Sequence, residues 1–157
     1  MKRDLPTPED DIERRVLHDV AAHGCHIIKV MEDDAGPGFA YSVGLFHNFD
    51  HAEILMVGLD LDLMHGVIND LMDDIRGGTR FDPEKRVADI LEGYDCEFRE
   101  VAVSHYRELL GCAIWFYRGT DFPALQCVWP DMQGHFPWEA GFNPKVRDRQ
   151  PTYYSAK

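Results

Sequence analysis

The sequence predicts a single α+β domain, a mostly antiparallel sheet with about three helices packed against one face. Three observations carry that expectation. Leu61, Met64, Ile68, Leu71 and Ile75 step by three and four residues in turn, which is the period of a helix with one buried stripe. "FAYSVGL" and "EILMVGL" are short apolar runs separated only by "FHNFDHA", a spacing that suits an antiparallel pair with a long loop. No glycine-rich phosphate loop follows any such run, which disfavours a parallel nucleotide-binding sheet.

The first helix is expected to start at Thr7 as cap, with Pro8 in its first turn and Glu9, Asp10 and Asp11 at the positive end of its dipole. Ile12, Val16 and Val20 form its apolar stripe, and Gly24 stops it. "CHIIKVME" reads as a strand and "EDDAGPG" as a turn. Asp60 caps the helix over 61–76, and Gly77 and Gly78 end it. Strands follow at 87–91 and 95–103, divided by Gly93. "SHYRELLGCAIWFYRG" spaces Tyr106, Leu110, Ala113 and Tyr117 as a helix, although "AIWFY" taken alone favours a strand. "PALQCVW" is a last buried strand. The domain is expected to span 1–142, with 143–157 as a polar tail that has little to anchor it.

A chain of 157 residues is about one domain and can bury a core without staples. Apolar content of 45% with 28% charged residues is ordinary for a globular protein. Sixteen Lys plus Arg against 28 Asp plus Glu gives a net charge of −12. That balance argues against nucleic acid and against anionic membranes, and it suits a basic protein partner. The spacing of Cys25, Cys96, Cys112 and Cys127 fits no zinc ribbon or redox motif, so all four are expected to be reduced. No apolar leader or membrane span is visible, and the expected location is the cytoplasm.

Candidate chemistry gathers in two places. "HNFDHAE" offers His47, Asp50, His51 and Glu53, but His47 and His51 would converge on a metal only within a helix. The segment reads as a loop, and no metal ligands are predicted. Ser42 lacks the elbow of a nucleophile. In "QCVWPDMQGHFPWEAGF", Gln126 sits in an apolar strand and must find partners, since an unpaired buried amide costs about 1–3 kcal/mol. Pro130 stops that strand and Asp131 begins a turn. Trp129 and Trp138 either form the core of this loop or wall a cleft. If the strands share one sheet, their polar ends could converge. The expected site is then a cleft of Tyr41, His51, Glu53, Gln126, Trp129, Asp131 and Trp138.

"YSVGL", "HAEILMVGL", "ALQCVWPD" and "FPWE" followed by "GF", in that order, resemble the bacterial domain-of-unknown-function family numbered 4262, from about Gly24 to about Pro151. Family members often have His-Pro-Glu where this chain has His51-Ala52-Glu53. The resemblance implies a small cytoplasmic bacterial domain and supplies no reaction.

The expected function is a non-catalytic binding protein, an immunity or accessory protein that masks a basic partner being one form of it. One alternative is a small-molecule or flavin-binding enzyme with its site at the sheet end. Another is a metal-dependent hydrolase using the same His and Asp residues. No residue demands a cofactor.

Overall fold

A computed structural model describes residues 5–154. The chain runs through α1 (Asp11–His23), β1 (His26–Val30), β2 (Phe39–Val43), α2 (Leu45–Phe49), β3 (Glu53–Val57) and α3 (Leu61–Arg76). It continues with β4 (Arg86–Leu91), β5 (Tyr94–Glu100), a 3₁₀ turn (Val103–His105), α4 (Tyr106–Leu109), α5 (Gly111–Tyr117), β6 (Ala124–Val128) and α6 (Pro144–Arg147).

All six strands form one sheet in the order β1-β2-β3-β6-β5-β4. Every pairing is antiparallel except that of the central strands β3 and β6, where Glu53 lies beside Ala124 and Leu55 beside Gln126. The sheet is thus mixed and mostly antiparallel, and the α+β class holds.

The period-two alternation of the strands feeds two cores. Ala40, Ile54, Met56, Leu125 and Cys127 pack with Met64, Ile68, Leu71 and Ile75 of α3. Tyr41, Val43, Leu55, Val57 and Ala124 pack instead with Val16 and Val20 of α1 and Phe116 of α5. Helices therefore cover both faces, not the single face expected. Both faces of the central strands are apolar, so each needs a cover. The described residues hold six α-helices rather than about three. The excess comes from the expected 104–119 helix being split into α4 and α5, and from α2 and α6, pieces of five and four residues that are too short to show a period in sequence.

Helix α3 matches its expected bounds and stripe, with Leu61 half-buried at its start. Asp60 caps it by accepting from Leu63 N–H at 3.1 Å. The first helix begins later than expected. Asp10, not Thr7, accepts the orphan N–H of Glu13 at 2.8 Å, while the Glu13 carboxylate reaches back to the Glu9 N–H at 2.8 Å. The 104–119 helix is broken at Leu110 into α4 and α5.

The segment after Phe142 is anchored through residue 154, contrary to the expected loose tail. Gln126 donates to Pro151 O and accepts from Tyr153 N–H, both at 3.0 Å. Gln150 brackets the main chain of Trp129, accepting from its N–H at 3.0 Å and donating to its carbonyl at 2.8 Å. Tyr154 forms a bridge to Val101. The end of β3 allows this approach because residue 58 is glycine: a β-carbon there would lie 1.8 Å from Arg149 O.

Candidate functional site

The most heavily bonded polar group of the core is Glu53. It starts β3 and is fully buried. Gly44, at φ +116, turns the chain out of β2 so that successive main-chain N–H groups converge on this carboxylate. A side chain at that position would press on Val20 and Gly24 O at 2.9 and 3.0 Å. Oε2 accepts from Gly44 N–H at 3.0 Å and Phe46 N–H at 3.2 Å. Oε1 accepts from Leu45 N–H at 3.2 Å and the Ser42 hydroxyl at 2.7 Å. The Tyr117 hydroxyl donates to Oε2 as well.

Burial pushes the Glu53 carboxyl above its usual range, while Tyr117, Ser42 and the main-chain donors pull it down. The donor pattern decides its state. Five hydrogens point at two oxygens, and the hydroxyls of Ser42 and Tyr117 each already accept a main-chain N–H, from Ile54 at 2.9 Å and His47 at 3.2 Å. That is the environment of an ionised carboxylate compensated by dipoles. Burial, followed by the Glu53 charge, pushes Tyr117 well above its usual range, so it remains a donor.

The other expected site residues are also bound into the fold. Tyr41 accepts from Cys112 N–H at 3.1 Å, which ties α5 to β2. His51 is buried; Nε2 accepts from Phe81 N–H at 2.9 Å and Nδ1 faces Ala52 O at 2.8 Å, which places its proton on Nδ1. Burial lowers its pKa, consistent with a neutral ring. Trp129 is core, its indole N–H donating to Val57 O at 2.7 Å. Asp131 accepts from the N–H groups of Gln133, His135 and Asn143 at 2.8–2.9 Å. Burial works to raise its carboxyl, and those three donors together hold it below the usual range. Trp138 is half-buried, stacked on Phe136 with 5.1 Å between rings, and the Arg99 guanidinium lies 3.9 Å from its own ring.

These residues do not form one cleft. Because β3 and β6 run parallel, His51 and Glu53 stand where the two strands begin, and Trp129 and Asp131 stand where they end. Four residues of strand separate the ends, roughly 13 Å. Gln126 lies between them with its amide spent on residues 151 and 153. The loop 46–52 is partly helical as α2, yet His51 lies beyond that helix and points to Phe81.

A recess lies elsewhere. It has a volume of about 610 Å³ and lies between the 31–38 turn, the 58–61 connection into α3, and residues 148–149. Among the described residues, Glu32, Asp33, Asp60 and Asp148 line it together with one cation, Arg149. Met31, Pro37, Leu59 and Leu61 supply apolar wall, and Met31 is 76% exposed. The acid-rich "MEDDAGPG" and "GLDLD" were the available sequence signal, but their meeting depends on β2 and β3 being neighbours. Among the described residues one group of potential metal ligands also stands together, His18, Asp19 and His23 at the end of α1. No helix of the described residues is long and apolar enough to cross a membrane.

Comparison with known proteins gives one family. No curated protein and no solved structure matches the chain. Residues 19–143 match the family described as a domain of unknown function, DUF4262. That stretch runs from the last turns of α1 through the Trp129–Trp138 loop and holds Glu53 with all five of its donors. On that coverage, the chain belongs to the DUF4262 family.

Proposed function

We propose that this protein is a cytoplasmic, non-catalytic binding protein whose acidic recess receives a basic segment of a protein partner. The observation that carries the reading is the recess itself: among the described residues, four acidic residues and one basic residue line about 610 Å³, in a chain of net charge −12. A Lys or Arg side chain could lay its aliphatic stem on Leu59 and Leu61 and hold its charged head among the carboxylates. The long-range field of the acidic surface would speed such an encounter. The enzymatic alternatives draw no support from the polar groups expected to serve them, because Tyr41, His51, Glu53, Gln126 and Asp131 are all engaged within the fold.

Fluorescence anisotropy of a labelled Lys/Arg-rich peptide tests the reading. Binding should weaken as salt rises and be lost in a Glu32→Lys/Asp148→Lys double variant. An Asp70→Lys/Asp74→Lys variant changes net charge equally on the exposed face of α3 and should bind as the unaltered protein does. Equal loss in both variants would show general charge attraction and overturn the assignment to the recess.

A further inference from the structure

The stretch "HDVAAHGCH", residues 18–26, places three histidines and an aspartate around the end of α1. A ligand atom of His18, one of Asp19 and one of His23 all lie within 4.8 Å of one another. The rings of His18 and His23 meet edge to face, 6.3 Å between centroids. A tetrahedral zinc holds its ligand atoms roughly 3.3–3.5 Å apart, so closing the set requires side-chain shifts of about an ångström. His18 and His23 are exposed and can make those shifts by rotation.

Two further observations set this group apart from a chance surface pair. The Asp19 carboxylate is already oriented, since His26 Nδ1 lies 2.7 Å from Oδ2. Outer partners of that kind are what fix a ligating carboxylate. The main chain carrying His23 is also clamped. Arg76 donates to the His23 carbonyl, and Asn48 donates to Val20 O and Gly24 O, each at 2.9 Å. Holding the Asp19 carboxylate and the backbone of His23 in place before the ion arrives lowers the cost of binding it. A recess of about 370 Å³ adjoins the group and is lined in part by Asp19, His23, His26 and His65. Cys25 lines it too, but its side chain is buried and its thiol is not among the ligand atoms that stand together.

We infer that His18, Asp19 and His23 form a binding site for one divalent transition-metal ion, with His26 positioning the Asp19 carboxylate. Two imidazoles and one carboxylate suit zinc and leave a coordination position to water. The same donors are a poor match for magnesium, which favours an all-oxygen shell. The site is separate from the acidic recess, and neither reading depends on the other.

Isothermal titration of zinc chloride into the full chain, in a buffer that does not bind zinc, tests the inference. One zinc per chain is expected, and magnesium chloride should give no heat of binding. His18→Ala and His23→Ala should each weaken zinc at least about tenfold. His105→Ala should leave the affinity within about twofold, since its partner Glu108 forms an exposed pair without a third ligand. Circular dichroism checks that the variants remain folded. Cobalt substitution should give a spectrum without a thiolate charge-transfer band. Absence of zinc binding, binding that survives the His18→Ala/His23→Ala pair, or a thiolate band would each overturn the donor set.

Discussion

Glu53→Gln keeps the shape of the buried side chain and removes its charge. The amide oxygen can occupy the Oε2 position and keep the donors of Gly44, Phe46 and Tyr117. The amide nitrogen then stands where Oε1 accepted from Leu45 N–H and the Ser42 hydroxyl. Two N–H groups now face each other, and Ser42 must reorient while still accepting from Ile54. One orphaned buried donor costs about 1–3 kcal/mol, and the surviving bonds lose charge assistance. Relief of the buried charge offsets part of this, so the net loss should be about 2–4 kcal/mol. The opposite flip is worse, since it strands both Gly44 and Phe46. With a urea slope of about 2 kcal/mol/M, the unfolding midpoint should fall by about 1–2 M. A native carboxyl that carried a proton would resemble the amide closely. A midpoint within about 0.3 M of the unaltered protein would therefore refute the assignment of a buried carboxylate.

Two further outcomes follow from the packing of His51 and Trp138. His51 titrates below its usual range because it is buried, whereas in the unfolded chain it takes a proton near about pH 6.5. The stability that comes from keeping the ring neutral is present above that pH and falls as the pH drops below it, where the unfolded state binds more protons. His51→Gln can still accept from Phe81 N–H and should flatten the fall; an unchanged difference between urea midpoints at about pH 7.5 and 5.5 would count against this. Trp138→Ala should cost about 1–2 kcal/mol, the value of a half-exposed stack and a cation–π contact. A loss above about 3 kcal/mol in the same assay would place the indole in the core instead.

The parts of the fold that were legible in sequence are those whose signal is local. Helix α3 carries sixteen residues of unbroken amphipathic period, and the strands read from their apolar runs. What stayed hidden depends on contacts distant in sequence. The parallel pairing of β3 with β6 joins segments about seventy residues apart, and no local pattern distinguishes it from an antiparallel neighbour. That single pairing decides that His51 and Asp131 lie at opposite strand ends. Glu53 was visible as a polar residue opening a strand, but one of its donors, Tyr117, comes from beyond two intervening strands. The His18–Asp19–His23 group was local and readable. Its spacing matches no familiar ligand motif, and the apolar stripe of α1 is the stronger signal in the same residues.

The two glutamine clasps join segments that synthesis delivers at different times. Translation delivers β6 before the residues that complete it, so Gln126 and the Trp129 main chain reach the sheet with their partners still unmade. Those partners, Gln150, Pro151 and Tyr153, lie past residue 143, where the stretch shared with the family stops. A nascent protein halted at residue 143 would contain the whole shared stretch and still carry an open seam along its central strand. The segment that closes it threads past Gly58 at main-chain contact, where any side chain would bar the way.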